Sequence, residues 1–260
     1  VIALISDIHS NREALDAVFA VIDRLPGVEK VMCLGDVVGY GPEPEYCVDL
    51  VRERCQVCLL GNHDEALFAG AGDFNPHARA AIEMTARRMR PGIIAGSGKR
   101  ERWEYLRSRP TTHREGRWLF VHASPRDPVR EYVLATDGLL NPDKMEAIFR
   151  SFDAGQCAMG HTHQPGIFRR DLRFEPPPPQ AGPSSGEAPW VELSEREQAL
   201  VNVGSVGQPR DGDNRACFAT IDGVRVRWHR VPYDYATTME KIRATPGLDE
   251  ILARRLAIGR

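Results

Sequence analysis

No apolar run in this sequence approaches the ~18 consecutive residues that a membrane-spanning helix needs, so no segment of it reads as a membrane span. Val1–Ile5 is too short for a secretory signal peptide and runs straight into a polar cluster. The missing initiator Met points to residues ahead of Val1 or to processing. An excess of either charge is also lacking. The chain has 34 Lys and Arg against 36 Asp and Glu, a net charge of −2, which gives no bulk attraction to nucleic acid. It has no basic stripe interleaved with aromatics, which argues against a nuclease. Cys55 and Cys58 have the C-x-x-C spacing, but no second pair accompanies them, so a closed thiolate zinc site is not expected. Cys33, Cys58 and Cys157 lie in strand-like runs and read as small buried hydrophobes. Free thiols fit a cytoplasmic protein. No internal repeat is visible, and 260 residues suffice for one large domain spanning residues 1–260.

What is present is a series of polar clusters, each just behind a short apolar run. Asp7 and His9 follow Val1–Ser6. Asp36 follows Val31–Leu34 and Gly35, and Asn62 and His63 follow Val57–Leu60 and Gly61. His122 follows Leu119–Val121, and His161 and His163 follow Cys157–Met159 and Gly160. The runs read as buried strands. The clusters then fall at strand C-termini, the edge where layered α/β folds bind ligands. A single Asp-x-His behind a strand is usually an ordinary turn or surface histidine. Here five of the chain's eight histidines sit in such clusters.

Two Asp, four His and one Asn make a mixed nitrogen and oxygen ligand set suited to divalent transition metals. Seven ligands exceed the needs of one tetrahedral ion and suit two ions that share a carboxylate; Asp36, from the middle of the set, is the expected bridge. Two ions ~3.5–4 Å apart can clamp both the attacking and the leaving oxygen of an in-line displacement. A water between them would lose a proton near neutral pH and become the nucleophile. His63 directly follows Asn62, so it is expected to reach over the substrate and protonate the departing oxygen as a general acid. His77, His113 and His229 read as helix surface, strand edge and strand surface.

Helices are expected from a capping box at Ser10–Glu13, with the stripe Leu15, Val18, Phe19, Ile22 and Leu25 ended by Pro26-Gly27, and over Glu43–Arg54, Asn75–Met89 and Arg100–Ser108. Two further helices, about 235–243 and 248–257, close the chain. The Arg87-Arg88, Arg90 and Lys99–Arg102 charges read as a solvated face. Residues 175–189 (EPPPPQAGPSSGEAP) cannot join a ladder and read as a mobile hairpin loop between strands near Gly166–Phe174 and Ala199–Val203. Asp222-Gly223 marks a hairpin.

The motifs Asp7-Ile8-His9, Gly35-Asp36, Gly61-Asn62-His63-Asp64, His122 and Gly160-His161-Thr162-His163 resemble those of the calcineurin-like metallophosphoesterase superfamily. The resemblance covers residues 1 to about 210. It implies a four-layer αββα sandwich, an α/β (α+β) fold of two mixed sheets packed face to face and flanked by helices. It also implies one ion on Asp7, His9, Asp36 and His163, and a second on Asp36, Asn62, His122 and His161. His63 is the acid. The stretches 7–11, 35–42 and 204–213 are similar to a bacterial and archaeal branch related to diadenosine tetraphosphatases and Ser/Thr phosphatases. Protein phosphatases of the family carry Asp-Arg where this chain has Gly39 and Tyr40. The Asp there orients the histidine and the Arg grips phosphate. The expectation is therefore a hydrolase with two divalent transition-metal ions, Mn first and Fe, Zn or Ni as alternatives. It would cleave small phosphodiesters or dinucleoside polyphosphates, with Arg210 and Tyr40 as substrate-binding residues. A phosphomonoesterase or Ser/Thr protein phosphatase is the alternative, and a non-catalytic interaction protein on the same fold the remote one. Alternatives also stand for two residues: Arg210 pairing only with Asp211 or Asp213, and Tyr40 packing as a turn residue.

Overall fold

A computed structural model describes residues 1–179 and 188–260 of the chain. Strands and helices are numbered in chain order. In the first sheet β1 (Ile2–Ile5), β2 (Lys30–Cys33) and β3 (Val57–Cys58) run parallel. On the other side of β1 the sheet continues antiparallel through β11 (Ala216–Asp222), β12 (Arg225–Val231) and β9 (Val191–Glu192). In the second sheet β5 (Trp118–Val121), β6 (Gln156–Met159) and β10 (Ala199–Asn202) are parallel. They are flanked by antiparallel β4 (Thr112–Glu115), β7 (Gly166–Arg169) and β8 (Phe174–Glu175). Among the described residues each sheet has six strands.

Side-chain alternation makes the layers. In β1, Leu4 enters the core between the sheets, while Ala3 and Ile5 face the helices; in β2, Met32 is inward and Val31 and Cys33 outward. Trp118 and Phe120 of β5 and Val201 of β10 meet Leu4 and Met32 from the other sheet. Burying each such large side chain contributes about 1.5–3 kcal/mol. The outer face of the first sheet is covered by α1 (Arg12–Ile22), α2 (Pro44–Arg54), α3 (Asn62–Ala69) and α5 (Ser97–Arg107). The outer face of the second is covered by α7 (Pro142–Arg150) through Met145, Ile148 and Phe149, just after the single turn α6 (Asp137–Leu140). α4 (Pro76–Met89) packs with α8 (Tyr235–Ala244) and α9 (Glu250–Ile258) in a separate cluster around Tyr40. This is the αββα sandwich.

The structure departs from the sequence reading at several points. The cap of α1 is Asn11, whose side chain accepts the Ala14 N–H, not Ser10. Glu13 is drawn instead to Thr238 and Lys241 of α8. α1 ends at Ile22, short of Pro26-Gly27. Most of the Pro-rich stretch, residues 180–187, lies outside the described residues. The two strands expected to flank it, β7 and β10, do pair antiparallel, but the connection also carries the short strands β8 and β9, which belong to different sheets, so it is not a simple loop. His229 is buried, stacked on Phe218 at 4.5 Å with Nε2 2.9 Å from Thr220 Oγ1, and is not a surface residue. The basic face of α4 and α5 is solvated as expected, with Arg87, Arg88, Arg90 and Arg100 exposed, and is partly neutralised by surface pairs of Arg88 with Glu45 and Arg102 with Asp49.

Candidate metal centre

The parallel strands of both sheets end on one edge. β1, β2 and β3 deliver Asp7 and His9, Asp36, and Asn62; β5 and β6 deliver His122, His161 and His163. The backbone there leaves ordinary space. Asp7, His9, Asp36, His161 and His163 have φ of 54°, 50°, 54°, 65° and 60°. Asp, Asn and His visit this left-handed region more readily than other non-glycine residues, yet each still costs about 1–3 kcal/mol and persists only where its surroundings over-determine it. Here they do. Ile8 and His9 both donate N–H to Asp36 O, at 2.9 and 3.0 Å, and Ser10 donates to Val37 O at 3.0 Å. Across the sheets, His161 N donates to Asp7 Oδ2 at 3.0 Å, and within the second sheet Gly160 N donates to His122 O at 2.9 Å.

Backbone carbonyls set the tautomer of four imidazoles. Nδ1 of His9, His122 and His163 donates to Val38 O (3.1 Å), Leu34 O (3.0 Å) and Gln208 O (2.6 Å). Each then turns Nε2 inward: on His9 and His163 that atom holds the lone pair, whereas His122 Nε2 faces Asn62 Oδ1 and Asp36 Oδ2 and holds a proton that a metal ion would replace. His161 is reversed: Nε2 donates to Arg130 O at 3.2 Å, leaving Nδ1 as the ligand atom. Fixing one ring nitrogen on an acceptor is how proteins orient metal-binding histidines. The inward atoms crowd together. His9 Nε2 and His163 Nε2 are 3.0 Å apart, and both ring N–H groups are already spent on carbonyls.

The ligand atoms fall into overlapping groups, each within 4.8 Å: Asp7, His9 and His163; Asp36, His122 and His161; and His9, Asp36 and His63. Asn62 Oδ1 joins the second group, 3.1 Å from His122 Nε2. Asp36 faces both sides, with Oδ2 3.7 Å from His9 Nε2 and 3.4 Å from His122 Nε2, while Oδ1 is held by the His63 N–H at 2.8 Å. The structure thus brings together all seven predicted ligands and His63. The donor set and its lone-pair directions fit divalent transition metals.

The electrostatics favour ligand forms. Burial lowers His9 and His163, and takes His63 to about 4 and His161 to about 3, so these rings are neutral near pH 7. Burial opposes charge on His122 too, but the adjacent Asp36 carboxylate wins and pushes it up to about 9. A metal ion must displace that proton, so uptake at this pair releases a proton and weakens as pH falls. Asp64 is pushed up to about 7 by burial and then by Asp36, although it accepts N–H groups from Val37, Val38 and Gly61. Those bonds tie the Asp36 loop to the start of α3.

Tyr40 and Arg210 also lie at the site. Tyr40 is buried, its ring 4.6 Å from that of His9 and 4.5 Å from that of His63. Arg210 reaches Gln208 Oε1 at 2.7 Å and Tyr40 Oη at 3.3 Å. Asp211 and Asp213 pair instead with Arg230 and Arg215, which removes the alternative that Arg210 serves only them. Gly39 is no simple gap left by an absent Asp. Its φ is 99°, and a Cβ there would collide with His63 Nδ1, a buried atom with no hydrogen-bond partner among the described residues. Sequence reasoning missed Phe74, whose ring is 5.0 Å from that of His63, and Tyr132, 4.0 Å from that of His161.

A Cβ at Gly61 would collide with the Asp36 carboxylate and backbone N–H. Gly61→Ala is therefore expected to lower Tm by roughly 2–10 °C, the effect of ~1–3 kcal/mol of overpacking, and to reduce bound metal. Gly72→Ala, with nothing within 4 Å, is the control. Matching melting curves and metal contents for the two variants would show that the contact is unimportant.

The family profile described as calcineurin-like phosphoesterase matches residues 1–165. "Uncharacterized protein MJ0912" of Methanocaldococcus jannaschii is 34% identical, over 100% of this chain and 98% of that protein. A symmetrical bis(5'-nucleosyl)-tetraphosphatase of Acidovorax sp. (strain JS42) is 28% identical, over 65% of this chain and 59% of that protein. Among solved structures, a metallophosphoesterase from Sphaerobacter thermophilus is 36% identical, covers 100% of this chain and 98% of its own, and superposes with a TM-score of 0.80. Hypothetical protein PH1004 from Pyrococcus horikoshii OT3 shares the fold at 20% identity, covering 100% of this chain and 99% of its own with a TM-score of 0.73.

Proposed function

Because the chain belongs to the calcineurin-like phosphoesterase family, and is thereby a metal-dependent phosphoester hydrolase, we propose that it cleaves small phosphodiesters or dinucleoside polyphosphates at two metal ions. The observation that carries the metal assignment is the set of carbonyl-anchored imidazoles whose free ring nitrogens converge on Asp7 and Asp36. In this reading Asp7, His9, Asp36 and His163 hold one ion and Asp36, Asn62, His122 and His161 the other, with Mn first and Fe, Zn or Ni as alternatives. Such ions polarise the phosphoryl group and acidify water. The protein groups do the rest. His63 delivers a proton to the leaving oxygen. Phe74 and Tyr40 wall its ring and keep water from it. Arg210 supplies a cation on the side where Tyr40 lies, as a single guanidinium rather than the Asp-Arg pair of protein phosphatases. The relative named as a bis(nucleosyl)-tetraphosphatase supports the choice of substrate. One domain over residues 1–260, acting in the cytoplasm, completes the proposal, and the free cysteines support that compartment.

Kinetics with Mn²⁺ test it. A diester and a dinucleoside polyphosphate should each exceed phosphoserine and phosphothreonine peptides in kcat/KM by about tenfold or more, ~1.4 kcal/mol in transition-state binding. The opposite ranking would make the protein phosphatase reading the leading one.

A further inference from the structure

We propose that the cavity beside Asn62 and His161 is a subsite for a flat, uncharged heteroaromatic ring, such as a nucleobase, carried by the ester. This rests on the phosphoester reading above. The cavity is lined by the rings of Tyr40, Phe74 and Tyr132 and by the polar groups of Asp73, Asn75 and Arg130, with Asn62 and His161 joining it to the metal centre. Its volume, about 320 Å³, is at the lower end of the ~300–1,000 Å³ of ligand pockets. It is large enough for one nucleoside-sized group. The walls suit a ring. Tyr132 is 48% exposed although its ring rests on His161, so the rest of its surface opens to the cavity it lines. Phe74 is half-buried on the ring of His63. Aromatic walls stack on a base of any identity, because every base has a π-face.

Charge argues against a second phosphate or an acidic peptide there. Arg130 is taken by Glu65 at 2.7 Å, with Asp73 at 3.8 Å. One cation against two carboxylates leaves no spare positive charge at the rim, whereas among the described residues Arg210 has only the neutral Gln208 and Tyr40 as side-chain partners. The phosphates therefore belong toward Arg210 and the ring toward Tyr132.

The test is calorimetry on the Mn²⁺-loaded protein with adenosine 5′-monophosphate and ribose 5-phosphate, in which an anomeric hydroxyl stands in place of the base. The base should tighten binding about tenfold or more, ~1.4 kcal/mol. In Tyr132→Leu and Phe74→Leu, which keep apolar cover over His161 and His63, that ratio should fall toward one. A ratio is read so that any general weakening of the site cancels. Equal affinity of the two ligands in the parent protein, or a ratio untouched by both substitutions, would overturn the subsite. So would failure of both to bind while esters are still cleaved, and each of these leaves the phosphoester reading standing. Absence of cleavage of every ester would remove that reading and the subsite with it.

Discussion

His63→Ala is expected to keep its metal content and yet lose ~10²–10⁴-fold in kcat on an alkyl phosphodiester, the usual contribution of a general acid. The loss should be much smaller on a p-nitrophenyl ester, whose leaving group departs without a proton. His63 contributes its backbone N–H to Asp36 Oδ1, and alanine preserves that bond, so the substitution isolates the ring. A pH dependence follows from the ring's surroundings. Burial, helped by Arg210 and outweighing the pull of Asp36, takes His63 to about 4; cations on the neighbouring ligands push the same way. An acid must carry its proton, so the rate it supports is lost as pH rises through its pKa. The anionic ester brings negative charge beside the ring and raises that pKa in the complex. The descending limb should therefore lie at higher pH in kcat than in kcat/KM, since the two report the complex and the free enzyme. Coincident limbs, or an equal loss on both esters, would make His63 a phosphate-binding residue instead.

Much of this site was legible because each polar group stands directly behind a buried strand, and parallel strands must end on the same edge. That logic placed Asp7, His9, Asp36, Asn62, His122, His161 and His163 without any knowledge of which strand neighbours which. What held them was not legible. The acceptors that fix the imidazoles are carbonyls of Leu34, Val38, Arg130 and Gln208, and every residue type has a carbonyl. α3 was missed because it starts inside the third motif, at Asn62, and its eight residues carry little amphipathic pattern. α7 did carry a signal, Pro142 at its start and Met145, Ile148 and Phe149 on one face, and it went unread. Ser10 lost the capping role to Asn11 because the Asp36 loop claims the backbone at Ser10, whose N–H donates to Val37 O. Tyr132 and Phe74 sit in segments between motifs, where only the folded chain brings their rings to His161 and His63.

Asp36→Asn should cost the protein more metal than Asn62→Ala. The substitution keeps shape and changes one thing. With Oδ1 already committed to the His63 N–H, the asparagine carbonyl takes that place and its NH₂ group replaces Oδ2. A donor then stands 3.4 Å from His122 Nε2 and 3.7 Å from His9 Nε2, where a shared lone pair and negative charge are needed. Asn62 offers only a neutral carbonyl to one ligand group, so its loss leaves the other group whole. Two unit charges ~4 Å apart at an effective dielectric near 20 interact by about 4 kcal/mol, so losing a charge shared by two cations corresponds to a fall in affinity on the order of 10³-fold. Elemental analysis after dialysis, with calorimetric Mn²⁺ titration, reads both variants. Asp36→Asn should retain less than one ion per chain and turn over every ester poorly, while Asn62→Ala should retain more. Equal metal content in the two would mean that Asp36 serves one ligand group only, and the bridging assignment would have to be given up.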